Sequence, residues 1–576
     1  PGESQIRPTQ PIVLRVSRLV SKACNDAAML TLTIDVATTC GQISIHDRHS
    51  DSTSIVIVPK PGVNGSAANI LRRRLVRFST AKAHLMGFSI QQFSSQLQQT
   101  RALIGGNWCE AASGRRFNVV DPATGVAIGS VPEMAAVDTE HAIEAAATAL
   151  PGWRRQTAKE RGAALRRWFA AVTAAADELA AIVTAESGKP LAEARGEVAY
   201  AAAFVEWAAE EARRTYGEVI PPPQADKRLL VIRQPIGVAA AITPWNFPAA
   251  MILRKAAAAL AAGCTLVIKP APQTPLTALA LGTLAEQAGL PAGVLNVVTG
   301  SIDSSREIGT AICESPTVRA LSFTGSTAAG ITLARQAAGT VKKVSLELGG
   351  NASFIVFDDA DLDAAVAGAI AAKFRNTGQT CICANRLFVQ AGIHDAFLEK
   401  FAAAAGRLQV GPGVDAGVAV GPLIDTRAVE KVTGLVADAT AAGGRTLLGG
   451  GMHARGGTFF EPTVISGATP KMRLAREEIF GPVAAVFRFE TEAEVLELAN
   501  ATEFGLASYF YSRDVGRCFR VAEALECGMV GVNTGIISTE VAPFGGVKAS
   551  GLGREGGRYG LDEYQELKYL CFGEIS

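Results

Sequence analysis

The chain has 576 residues, with 55 Lys or Arg against 54 Asp or Glu, so no overall basic excess points to nucleic acid. Hydrophobic residues make up 48% and charged residues 19%, which excludes a disordered chain, and no run of about 18 uncharged apolar residues marks a membrane span. Ten cysteines are too sparse for a disulfide scaffold, and the six histidines show no HExxH-like spacing, so no metal site is expected.

Residues 1–85 differ from the rest. They carry 11 Lys or Arg against 5 Asp or Glu, include the run Arg72-Arg73-Arg74, and are rich in Ser and Thr. They read either as an Arg- and Ser-rich targeting extension or as a poorly ordered tail without chemistry. A cytoplasmic location is expected, or a mitochondrial one if the segment is a targeting extension. Regular patterning starts near residue 95. Residues 139–215 read as helices, with SGKP at 187–190 as a helix stop. After Pro221-Pro222-Pro223, residues 227–237 read as an extended strand.

Strict alternation follows. Strands are predicted at 237–244, 265–270, 294–300, 318–325 and 344–350, with helices at 249–263, 277–289, 304–313 and 326–338 between them. Apolar strands separated by helices mean βαβ units and a parallel sheet covered on both faces. Such sheets bind ligands beyond the carboxyl ends of their strands. Strands at 353–357, 386–390 and 484–489, with a helix near 394–406, imply a second α/β domain. The tail at 563–573 alternates like a late strand.

Gly551-x-Gly553-x-x-Gly556 matches a dinucleotide fingerprint, but no βαβ unit can follow it so close to residue 576. FTGSTAAG at 323–330 is the better phosphate candidate, because a strand ends, glycine turns the chain and a helix opens at Ser326. Cys381, in RNTGQTCICANR, has the thiol chemistry for covalent attack on a carbonyl. Glu347, in LELGG, stands at a strand end where a carboxylate can act as general base. Asn246, in PWNFP, can donate an amide hydrogen to a developing oxyanion. Cys383 lies two residues beyond Cys381. On a strand that spacing puts both thiols on one side, so Cys383 reads either as a redox partner or as simple packing.

The ordered motifs TPWNFP, KP at 269–270, FTGST, LELGG, GQTC, EEIFGPV and PFGG resemble the aldehyde dehydrogenase superfamily over about residues 95–576. The longer strings KFRNTGQTCICANR and PFGGVKASGLGREGGRYG are most similar to its succinate-semialdehyde branch. The resemblance implies two parallel-sheet α/β domains plus a small β bridging region. A dinucleotide-binding domain would occupy 95–218 and 238–349, a catalytic domain 350–549, and bridging strands 219–237 and 563–574. It further implies Cys381 as nucleophile, Glu347 as base and Asn246 in the oxyanion hole. Thr243, Trp245, Lys269, Pro272, Gly325, Ser326, Glu478 and Phe480 would bind NADP or NAD. KPAPQTP lacks an acid to repel a 2′-phosphate, so NADP should serve at least as well as NAD. Arg254 and Arg375, with Ser538 or Thr539, would hold a substrate carboxylate. The implied reaction is oxidation of succinate semialdehyde to succinate in a homo-oligomer, a dimer or tetramer, without nucleic acid or membrane. The alternatives are glutarate semialdehyde or another aldehyde as substrate, or a catalytically silent relative.

Overall fold

The computed structural model describes residues 97–575, together with the backbone of four strands near the start of the chain. The chain divides into two compact units, the first ending at Met86. In the first unit Arg15–Cys24, Ala27–Val36, Thr39–His46 and Ser54–Ile57 form an antiparallel sheet in sequence order. The expectation of a tail or targeting extension over 1–85 otherwise falls outside the described residues.

The second unit holds two large sheets. In the first, Lys343–Glu347, Val318–Thr324, Val238–Ile242, Thr265–Lys269 and Leu295–Val297 run parallel in that spatial order. The earliest of these strands, Val238–Ile242, is central, and later strands are added on each side of it. The strand order therefore reverses beside it, which opens a crevice at the carboxyl ends. Register aligns those ends: Ile242 pairs with Lys269 and Phe323, and Thr324 pairs with Glu347. Strands as apolar as VAAAI and TLVIK are buried on both faces, by the helices Pro248–Ala262 and Pro275–Gln287 on one and by Ala136–Arg155 on the other.

The second sheet runs Arg445–Leu448, Thr463–Ser466, Val483–Phe489, Ala384–Gln390, Ala352–Val356, Ala507–Tyr511 and Met529–Val532, parallel except at the Arg445–Leu448 edge. Glu218–Ile220, Arg228–Pro235 and Gln565–Phe572 make a separate antiparallel sheet. The two bridging segments are thus neighbours, paired from Arg228–Phe572 to Pro235–Gln565.

Four helices fill residues 136–211. The stop at SGKP is real: the helix Ala176–Ser187 ends on Gly188, whose φ of 74° suits a residue without a Cβ. Ala158–Ala174 and Ala176–Ser187 have the length and apolarity of a membrane span only when taken as a bent pair. No single helix among the described residues does.

The glycines of the false fingerprint have a packing reason. Gly551 pairs with Glu347 on the free edge of the first sheet, and a Cβ there would lie 1.9 Å from the Leu346 carbonyl oxygen. The short strand Gly551–Leu552 is therefore a clip on the strand that carries Glu347.

Candidate active site

Each predicted residue arrives by a local rule. Glu347 is the last residue of its strand, and the following turn is braced by Ser550, whose carbonyl accepts from Leu348 N–H and whose hydroxyl donates to Gly349 O. Gly350 must be glycine, because a Cβ would approach the Cys381 carbonyl oxygen to 2.3 Å. That close approach brings the LELGG turn against the GQTC loop.

The loop before Cys381 is strained. Asn376, Thr377 and Gly378 take φ of 51°, 59° and 74°, and the two non-glycine residues cost about 1–3 kcal/mol each. Buried Gln379 anchors the loop: its side chain donates to Asn376 O and Pro422 O and accepts from Ile424 N–H. The Cys383 N–H then closes a turn on Thr380 O at 3.0 Å. Cys381 therefore lies inside this turn and Cys383 ends it, before the strand Ala384–Gln390, and the strand argument for a shared side does not apply. The two sulfurs have different partners. Cys381 Sγ donates to Glu347 Oε1 at 3.5 Å, whereas the buried Cys383 donates to Lys373 O at 3.6 Å.

Asn246 is 5% exposed, and its Nδ2 donates to Gln379 O at 3.0 Å, which leaves one amide hydrogen for another acceptor. The Cys381 N–H has no acceptor among the described residues. Asn246 is held from behind. Its carbonyl accepts from Lys189 Nζ at 2.8 Å and from Asn376 Nδ2 at 3.0 Å. Lys189 is buried, ion-paired with Glu197, and lies 3.8 Å above the Phe247 ring. Glu197 also accepts from Ala249 and Ala250 N–H, the free donors of the helix that begins at Pro248. Lys189, Glu197, Asn376 and Gln379 escaped the sequence reading. For Glu197 the signal was a charge in otherwise apolar helical surroundings; Lys189, Asn376 and Gln379 lie in loops and gave none.

Electrostatics suit a neutral resting thiol. Burial, then the neighbouring Glu347 and Glu478 carboxylates, push Cys381 well above its ordinary value of 9.0. Burial also raises Glu347 above 4.5, opposed by Arg254. A carboxylate already accepting from the thiol can take its proton as sulfur attacks a carbonyl.

A cavity of about 290 Å³ reaches Cys381, with Phe247, Arg254, Arg375, Ser538 and Phe544 among its walls. The two arginines differ. Arg375 lies 5.5 Å from the Phe247 ring and makes no direct ion pair among the described residues, although the buried Glu193 carboxylate on the same wall feels its charge. Arg254 is 2% exposed and lies between Glu347 and Glu555. Thr539 donates to neighbouring Glu540, whereas Ser538 stands on the wall with Tyr200 and Thr380 as its other hydroxyl residues.

The crevice fits a dinucleotide. Lys269, 3% exposed, has no partner among the described residues, and desolvation lowers it to about 7. The buried hydroxyl of Thr243 is likewise without a hydrogen bond. Pro272 follows Lys269 in the turn before the helix Pro275–Gln287. Across the crevice, Gly325 leads to Ser326, which caps the helix Thr327–Ala337 and offers its first N–H groups. Glu478 accepts from Gly350 N–H at 3.0 Å, and burial raises it to about 7. Trp245 packs edge-on against Phe480 with ring centres 5.6 Å apart. Phe480 holds a φ of 56°, a strained value for an aromatic residue. Among the described residues no group of three His, Cys, Asp or Glu can hold a metal ion.

Comparison with known proteins identifies the family. Residues 108–570 match the pattern described as "Aldehyde dehydrogenase family". A glutarate-semialdehyde dehydrogenase of Pseudomonas aeruginosa is 59% identical over 84% of this chain and 100% of its own length. GabD of Escherichia coli, a succinate-semialdehyde dehydrogenase designated for NADP(+), is 60% identical over 83% of this chain and 99% of its own. The crystal structure of succinate-semialdehyde dehydrogenase from Burkholderia pseudomallei superposes with a TM-score of 0.82 at 60% identity, covering 83% of this chain and 99% of that one. The chain belongs to the aldehyde dehydrogenase family.

Proposed function

We propose that this enzyme oxidises succinate semialdehyde to succinate with NADP or NAD. The observation that carries the reading is one cavity that holds a nucleophilic thiol beside a buried carboxylate and, on its wall, an arginine that makes no direct ion pair among the described residues. Cys381 Sγ adds to the aldehyde carbon as its proton passes to Glu347. The Asn246 amide and the Cys381 N–H stabilise the oxyanion. A bound nicotinamide dinucleotide supplies the hydride acceptor. Glu347 gives up that proton to solvent, then takes one from the water that attacks the Cys381 thioester and passes it to the leaving sulfur, which returns the thiol and releases the acid. Lys269, Thr243, Ser326 and Glu478, with Trp245 and Phe480, hold the dinucleotide. The absence of an acid after Lys269-Pro270 favours NADP at least as much as NAD.

Arg375 and Ser538 bind the substrate's distal carboxylate, with Arg254 on the same wall. A planar guanidinium suits two-point contact with a carboxylate. Glutarate semialdehyde is the second reading, favoured by the identity to the Pseudomonas aeruginosa relative. Arg375→Met should raise KM for succinate semialdehyde far more than for butanal, its uncharged four-carbon counterpart. Equal losses on both would contradict the clamp.

The bridging sheet supports a homo-oligomer. Leu567, Tyr569 and Phe572 on its edge strand are 65%, 58% and 48% exposed, and an edge of this kind seeks a partner strand. Deleting residues 565–572 should yield a smaller species by light scattering; an unchanged mass would contradict this.

A further inference from the structure

The surroundings of Arg254 give it a task besides lining the cavity. Its side chain is wholly buried in the helix Pro248–Ala262. Nη2 lies 3.2 Å from Glu347 Oε2, and Nε lies 2.5 Å from Glu555 Oε2. Its flat face rests on Phe544, 4.3 Å from the ring centre. Glu347 is therefore divided: Oε2 faces the guanidinium and Oε1 receives the Cys381 thiol. The terminal torsion of a glutamate is soft and roughly two-fold, so the carboxylate needs an external contact to fix its plane. The second carboxylate, Glu555, keeps the guanidinium from swinging away, and is itself paired with Lys255, which also donates to Ser322 at 2.8 Å.

We propose that Arg254 is a positioning residue for Glu347, orienting the general base toward Cys381 and keeping it ionised for every aldehyde, with or without a carboxylate tail. This rests on Glu347 being the base. The charged and titratable groups around Glu347 are Arg254 and Lys255 from one helix, Tyr200 from the helix Leu191–Glu211, Glu555 from the segment near the C-terminus, Glu478, and Cys381. Of these the guanidinium is the main group opposing the effect of burial on Glu347. Nη2 of Arg254 faces Glu347, Nε faces Glu555 and the Tyr200 hydroxyl is a further neighbour, so a contact of Nη1 with substrate would add to the hold on Glu347 rather than replace it.

The test uses butanal, which has no tail for an arginine to bind. Arg254→Met should lower the steady turnover that follows the burst of reduced cofactor about 10-fold or more at pH 7. It should also move the acid limb of the kcat profile upward by about one pH unit, because a carboxylate without its cation ionises later. Arg254→Lys should recover part of both losses. A Met variant with parental kcat and pH profile on butanal, impaired only in KM for succinate semialdehyde, would overturn the proposal. If the Met variant fails to fold, the Lys variant decides: a raised acid limb on butanal supports the role and a parental limb refutes it. Glu347→Gln is measured alongside. Loss of turnover, with or without a surviving burst, keeps Glu347 as base and leaves the Arg254 result to judge positioning alone. Full turnover removes the base reading, and this proposal with it.

Discussion

The crevice at the end of the first sheet and the cavity beside Cys381 treat buried charge in opposite ways. In the crevice, Lys269 and the Thr243 hydroxyl are buried with no partner among the described residues. Around the cavity, Lys189 has Glu197, Lys255 has Glu555, and Arg254 has both Glu347 and Glu555. A buried charge without a partner is costly, so it persists where a ligand completes it. A buried pair is little help to stability but fixes geometry. On the proposed function, the contrast separates groups that would be completed by a cofactor from groups that would aim the chemistry.

The largest effect should come from the thiol and its base. Cys381→Ala should remove dehydrogenase activity by on the order of 10,000-fold while cofactor binding, followed by fluorescence titration, stays intact. Residual turnover near the parental rate would end the covalent reading. Next are the pairs that aim. Glu197→Gln, which leaves Lys189 buried beside an uncharged partner and weakens the cap on the helix at Pro248, should destabilise the protein by about 3–5 kcal/mol in denaturant unfolding. It should also lower kcat, since Asn246 loses the lysine that holds its carbonyl.

The crevice should respond through the cofactor alone. Lys269→Ala should raise the cofactor KM about 10- to 100-fold with a smaller change in kcat, as expected on losing a charged hydrogen bond. The parental enzyme carries a matching pH signature. Lys269 sits near 7, and a 2′-phosphate favours its protonated form. NADP affinity should therefore be steady below about pH 7 and weaken above it, with NAD less affected. Parallel pH curves for the two dinucleotides would separate Lys269 from the 2′-phosphate.

The smallest expected effect concerns Cys383. Its sulfur donates to Lys373 O, away from the Cys381–Glu347 contact, so a disulfide requires the Thr380–Cys383 turn to open. Peroxide followed by dithiothreitol should leave the parent recoverable and Cys383→Ala permanently oxidised at Cys381. Identical recovery in both would make Cys383 packing alone.

Much of the frame was legible in the sequence. The strands from Val238 to Glu347 are short, apolar and set off by glycines, and the structure places their ends in one row. Cys381, Glu347 and Asn246 stood out because each is a reactive side chain next to a turn. The second sheet was read only in part. Strands such as Thr463–Ser466 and Met529–Val532 are four residues each, too short for periodicity to register. The supporting charges were not legible, because their meaning is a partner far away in the chain. Glu555 lies inside the false glycine fingerprint, yet it pairs with Lys255 and Arg254 some 300 residues earlier. Arg254 read as a free cation for the same reason: nothing local reveals that two carboxylates converge on it. Gly551 looked like a nucleotide motif, and only the sheet register shows that it allows a backbone to lie against Leu346.

The central claim is that the cavity is built for an aldehyde with an acid at its far end. The most direct test compares kcat/KM for succinate semialdehyde, glutarate semialdehyde and butanal with saturating NADP. A charged contact with the tail is worth about 1.5–3 kcal/mol, so the better semialdehyde should exceed butanal by about 10-fold or more. A kcat/KM for butanal equal to or above both semialdehydes would contradict the account.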